Sequence, residues 1–176
     1  MLHFDDIVFG PIFSRRLGSS LGVNLLPSKG KLCNFDCVYC ECGWNKDGIA
    51  ERVFPRLEEV KAALEEKMSK AASEGVPVDS ITFSGNGEPT MNPDFPEIID
   101  VTLELRDRYF PDAKVSVLSN ATLIGRPAVA EALMKVDNPI LKIDASSDSL
   151  IAQINKPVGR YRLDEVVEAM MKFEGR

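Results

Sequence analysis

Apolar and polar positions along this chain alternate between two periods. Over 57–68, Leu57, Val60, Leu64 and Met68 recur at helical spacing with charged residues between them, which predicts a helix. Residues 78–84 form a short β-branched and aromatic run ending at Gly85, the profile of a strand. Phe95, Ile98, Ile99, Thr102 and Leu105 share one stripe of a helix over 95–110, with Pro111-Asp112 as its stop. Strands follow at 114–118 and 140–144, separated by a short helix at 127–136, and an amphipathic helix covers 163–173. A further strand at 21–26 precedes them all, making four. Strands alternating with helices through short connections imply a parallel sheet joined by right-handed crossovers. Ligands in such folds gather beyond the C-terminal ends of the strands. Four polar segments follow those ends: a cysteine loop, residues 84–89, Ser119-Asn120, and Asp144-Ala145-Ser146.

Composition narrows this picture. With 176 residues, 44% hydrophobic and 27% charged, the chain reads as one globular domain over 1–176, its first twenty residues a leader. Acidic residues outnumber basic ones 27 to 21, a net charge of -6, which excludes a broad electropositive coat for nucleic acid. The Glu-rich stretch from Glu58 to Glu74 reads as a solvated helix face. No apolar run approaches the roughly 20 residues a spanning helix needs. The N-terminus, including His3, lacks the basic flank and apolar stretch of a secretory signal, so a cytoplasmic protein without a membrane partner is expected.

All four cysteines, Cys33, Cys37, Cys40 and Cys42, fall within ten residues. Disulfides there would close only trivial loops, so the cluster reads as metal-binding or redox-active. Cys33, Cys37 and Cys40, separated by three and then two residues, suit thiolates wrapped around one face of an iron–sulfur cube. Three ligands for four irons leave one iron open, the mark of a reactive site. The alternative is a zinc knot of all four thiols, in which the single residue between Cys40 and Cys42 would strain a tetrahedral centre.

The CxxxCxxC spacing, with Tyr39 before its last cysteine, resembles the signature of the radical S-adenosylmethionine (SAM) superfamily. Gly87-Glu88-Pro89, at the end of the next strand, is similar to that family's Gly-Gly-Glu-Pro motif, with Asn86 where the first glycine is usual. The leader 9–24 and Asn155-Lys156-Pro157 resemble an iron–sulfur oxidoreductase branch related to the wyosine-base (tRNA) synthases. The resemblance implies a partial (β/α) barrel binding one [4Fe–4S] cluster and SAM, with Cys33, Cys37 and Cys40 as cluster ligands. Reductive cleavage of SAM would give a deoxyadenosyl radical that abstracts hydrogen from a substrate the sequence does not identify, with no side chain nominated as general acid or base. It further implies Tyr39 presenting its backbone to the adenine, Gly87 and Glu88 on the cofactor amine, and Asn120 as a polar contact. Lys142 and Asp144, two apart on one strand, would face the cofactor carboxylate and ribose. An electron donor such as flavodoxin or ferredoxin is implied as partner.

Several readings stay open at this level. Lys142 and Asp144 also suit a buried ion pair, and Asn120 a turn cap. Trp44 suits either shielding of a cluster or surface anchoring. Arg15 and Arg16 suit either an RNA phosphate or a solvated turn. An RNA-modifying enzyme, an activating enzyme for a glycyl-radical protein and a non-catalytic metal module are therefore alternatives. By the scaling of a (β/α)8 barrel, about five βα units fit after the leader, and four strands are visible, so barrel units at the C-terminal end are expected to be missing.

Overall fold

The structure, a computed structural model, describes residues 4–45 and 53–174. His3, Gly175 and Arg176 lie outside them. Five strands form one sheet in the order β1-β2-β3-β4-β5: β1 (Val8–Ser14), β2 (Gly18–Val23), β3 (Ser80–Phe83), β4 (Lys114–Ser119) and β5 (Asn138–Leu141). β2 to β5 run parallel, and β1 pairs antiparallel with β2 as a hairpin. The helices are α1 (Leu57–Ser73), α2 (Phe95–Tyr109), α3 (Pro127–Lys135), α4 (Asp148–Ile154) and α5 (Leu163–Met171), with a 3-10 turn at Pro89–Met91. Neighbouring strands follow chain order without reversal, as in a (β/α) barrel rather than a doubly wound sheet. This is the predicted α/β class, with four parallel strands as counted.

The strand faces explain the packing. Leu21, Ile81 and Val115 lie in register, as do Val23, Phe83 and Val117, and all are buried with Val60 and Leu64 of α1, Ile98 and Ile99 of α2 and Leu133 of α3. Phe83 meets the Phe95 ring edge-on at 6.3 Å between centroids. The opposite face carries hydroxyls: Ser20 to Thr82 at 2.7 Å, Thr82 to Ser80 at 3.1 Å, and Ser80 to Ser116 at 3.3 Å. Because side chains alternate along a strand, this second face continues upward through Leu118 and Asn120, and through Ile140 and Lys142.

Four expectations change. The leader is a strand, β1, whose edge is broken by a register shift between Phe9 and Ile12 and by Pro11, devices that blunt an open edge. The strand expected at 21–26 sits earlier, because Asn24 turns its side chain back onto Leu26. The strand expected at 140–144 ends at Leu141, so Lys142 and Asp144 lie just past it. Helix α4 was not anticipated: its seven residues are mostly exposed and bury only Ile151, too few for a periodic signal.

Asp137 ties α2 to β4. It accepts from Arg106 and Lys114 at 3.0 Å each and from the Val115 N–H at 2.9 Å. Burial works against its charge, but these three donors prevail and hold the carboxyl below its ordinary 3.8. With the folded value depressed, the stabilisation is complete above pH 3.8 and disappears as pH falls through the folded value. Asp137→Asn is therefore expected to cost about 1 kcal/mol at neutral pH and to flatten the acid limb of stability, read by denaturant titration at several pH values.

Candidate functional site

Beyond the C-terminal ends of β3, β4 and β5 lies a cavity of about 330 Å³. Cys33, Cys37, Cys40, Cys42, Tyr39, Gly87, Glu88, Asn120 and Lys142 all line it. Of the predicted site residues only Asp144 is absent from the lining, and it stands at the margin, bonded to Tyr39 and Lys142. The chain thus gathers segments far apart in sequence at one rim.

The cysteine loop is pinned from two sides. On one, the Leu32 N–H donates to the Asn86 carbonyl at 2.8 Å and the Glu88 N–H to the Leu32 carbonyl at 3.3 Å, extending the sheet past β3. On the other, the Asp36 and Val38 N–H groups donate to the carbonyls of Asn155 and Ile154 at 2.8 and 2.9 Å, just after α4. Phe35, Cys37 and Ile151 form a small core of their own beneath the loop, with Tyr161 edge-on to Phe35.

Four N–H donors are aimed at sulfur. Cys33 Sγ receives the Phe35 backbone N–H at 3.4 Å and Asn120 Nδ2 at 3.6 Å. Cys37 Sγ receives Asn155 Nδ2 at 3.3 Å and Lys142 Nζ at 3.8 Å. Burial pushes the Cys33 thiol up to about 12, whereas the hydrogen bond with Cys42 holds Cys40 down at about 5 and drives Cys42 up. Lys31, a buried lysine the sequence reading passed over, also lines the cavity and bonds to Asp36 at 3.1 Å and the Gly43 carbonyl at 3.3 Å. Burial opposes its ammonium, but Asp36 and the neighbouring Cys40 and Cys33 keep it charged. A buried cation beside thiols offsets the cost of gathering thiolates out of water.

Glu88 is buried, and burial raises its carboxyl above the ordinary value. Oε1 accepts from the Thr90 N–H, Thr90 Oγ1 and Ser119 Oγ, at 3.2, 2.6 and 2.8 Å. Among the described residues Oε2 accepts only the Asn120 N–H, at 2.7 Å, which leaves a lone pair for one further donor from the cavity. Gly87, at φ 146°, packs its α-carbon against the Leu32 carbonyl, so its lack of a side chain serves the loop contact. Asn86 points the other way. Its side chain accepts from the Phe4 N–H and donates to the carbonyls of Phe4 and Pro27, each at 2.9 Å, tying the leader down. Asn86→Ala is expected to cost about 2 kcal/mol by stranding these buried groups, read as a lower denaturation midpoint with cavity thiol reactivity unchanged.

Asn120 caps the turn that follows it, Oδ1 accepting the Thr122 N–H at 3.1 Å, and its Nδ2 points at Cys33 and Asn34. Lys142 and Asp144 pair with each other at 3.0 Å at the mouth, partly exposed rather than buried, since the strand has already ended. Tyr39 Oη receives Lys142 and donates to Asp144, and the Lys142 ammonium lies 4.9 Å from the Tyr39 ring centroid. Burial pulls the Lys142 ammonium down, but these contacts outweigh it and leave it raised. Trp44 carries the Lys156 ammonium at 4.8 Å and is not among the cavity's lining residues. Arg15 and Arg16 sit in the β1–β2 turn, at the opposite end of the sheet from the cavity. Among the described residues no helix is long and apolar enough to cross a membrane.

Known proteins resemble this chain in sequence and in fold. The chain is 35% identical over 169 residues to the UPF0026 protein MJ1312 of Methanocaldococcus jannaschii, covering 95% of this chain and 49% of that one. A UPF0026 protein of Helicobacter pylori is 32% identical over 167 residues, covering 95% and 51%. The chain therefore spans about half the length of the curated relatives it matches. Among solved structures, anSMEcpe with bound AdoMet superposes with a TM-score of 0.59 at 23% identity, over 83% of this chain and 38% of that one. TYW1 with a lysine-pyruvate adduct bound superposes with a TM-score of 0.52 at 16% identity, over 90% and 52%. These likenesses concern the fold. The model of the Radical SAM superfamily matches residues 28–175, and the chain belongs to that superfamily.

Proposed function

We propose that this chain is the core of a radical SAM enzyme in which Cys33, Cys37 and Cys40 hold a [4Fe–4S] cluster and the adjoining cavity takes SAM. One observation carries the reading: three thiols of one loop border a common cavity, and N–H donors from separate segments point at the sulfurs of Cys33 and Cys37. Thiolates are soft ligands suited to iron–sulfur clusters, and hydrogen bonds to sulfur support them. When bound, the cluster and SAM supply reductive carbon–sulfur cleavage and, through it, hydrogen abstraction from a substrate.

The chain's own groups bind and orient. The free lone pair of Glu88 Oε2 suits the cofactor amine. Lys142, kept cationic at the mouth, suits its carboxylate, and Asp144 and the Asn120 amide suit further polar contacts. Tyr39, half-exposed over Lys142, and the apolar Leu118 and Ile140 offer flat surface for the adenine. A small electron-donor protein completes the system, and the substrate is a matter for assay.

Anaerobic reconstitution with iron and sulfide, then reduction in the presence of SAM, tests the reading. Brown protein that forms deoxyadenosine is expected. A colourless zinc protein, or a cluster that leaves SAM intact, would overturn it.

A further inference from the structure

Asn155 is fully buried, yet its Oδ1 is the one buried side-chain atom among the described residues without a hydrogen-bond partner. Its other end is crowded. Nδ2 lies 3.3 Å from Cys37 Sγ and 3.2 Å from Tyr39 Oη, and also meets Asp144 Oδ2. An amide with two N–H donors has been turned wholly toward acceptors, a sulfur and a carboxylate, although its carbonyl is stranded as a result. Swapped end for end, the amide would set its carbonyl oxygen against the Asp144 carboxylate, so Nδ2 is held toward Asp144 and the Cys37 sulfur. The backbone agrees, since the Asn155 carbonyl accepts the Asp36 N–H at 2.8 Å and fixes the side chain against the loop.

Resting on the cluster reading above, we propose that Asn155 is a positioning residue that donates an N–H···S bond to Cys37 and thereby raises the reduction potential of the cluster. Reduction adds negative charge that is shared by the ligand sulfurs, so a donor to sulfur favours the reduced form. The same amide grips Asp144, and through it Tyr39 and Lys142, so the ligand sulfur and the cavity mouth share one anchor.

The test is the midpoint potential of the reconstituted full chain, followed by EPR during a redox titration. Asn155→Leu keeps the volume and removes the donor. It is expected to hold iron as the parent does while the oxidised-to-reduced ratio at a fixed potential rises about tenfold, 59 mV more negative for a one-electron couple. Asn155→Asp keeps the shape but replaces the donor by an acceptor, and is expected to move the midpoint further in the same direction. An unchanged or more positive midpoint in either variant would overturn the proposal, as would lower iron content with the remaining cluster unshifted, which is the behaviour of a merely structural residue. If neither variant loads iron, an Asn120→Ser chain labelled with side-chain 15N asparagine decides, Asn120 being the other asparagine whose amide meets a cysteine sulfur: a 15N coupling to the reduced cluster in pulsed EPR is expected, and its absence overturns the bond. A parent chain that takes up no cluster at all overturns the cluster reading itself, an outcome distinct from all of these.

Discussion

Cys37→Ala is expected to yield a reconstituted chain without cluster absorbance and with deoxyadenosine formation at background, and Cys33→Ala and Cys40→Ala to do the same. Each removes a proposed cluster ligand, and at Cys33 and Cys37 one whose sulfur receives a side-chain amide N–H. Cys42→Ala has a different outcome. The Cys42 thiol spends its single S–H on the Gly85 carbonyl at 3.5 Å, the behaviour of a supporting thiol rather than a cluster ligand. Its loss is expected to spare the cluster and cost about tenfold in activity, the scale of a supporting partner. Iron per chain and deoxyadenosine yield across the four variants check this. Equal damage at all four positions would mean that every thiol ligates, and no iron would be left open.

The second large effect is expected at Gly87. A β-carbon there would lie 1.8 Å from the Leu32 carbonyl oxygen and 2.5 Å from its carbon, at a φ of 146° that side chains rarely adopt. The obstacle is backbone, so it cannot rotate aside, and the backbone of Leu32 leads directly into Cys33. Gly87→Ala is expected to cost about 3 kcal/mol and to lower iron uptake with it, seen together in denaturation and iron analysis. Gly75 is the control. It also has positive φ, 67°, but nothing lies within 4 Å of the added carbon, so Gly75→Ala is expected to cost about 1 kcal/mol without touching iron content. Similar effects at the two glycines would show that conformation alone, and not the contact with Leu32, explains the requirement.

The two motif asparagines have physical roles. Asn86, standing where a glycine is usual in the family, sends its amide to Phe4 and Pro27, away from the cavity, so the change serves the leader and spares the cavity wall. Asn155, noted in the sequence only within an Asn-Lys-Pro run, turns out to touch the Cys37 sulfur. Lys31 had no visible signal, for a lysine two residues before a cysteine reads as ordinary surface. Its burial follows from the fold of the loop around it.

What the sequence determined on its own was everything governed by local period and spacing. The stripe Phe95, Ile98, Ile99, Thr102 and Leu105 is the buried face of α2 residue for residue, because a helix fixes which side chains share a face. The run 78–84 contains β3 for the same reason, and the thiol spacing depends on a single loop. Tertiary structure decided the rest. β1 exists because β2 offers it an edge, and short, exposed α4 stands because it backs the cysteine loop. The departure of Asn86 from the cavity and the amide aimed at Cys37 depend on partners between 11 and 118 residues away. Contacts over such separations leave no periodic trace in a chain, because they are selected by packing and hydrogen-bond satisfaction only once the chain has folded.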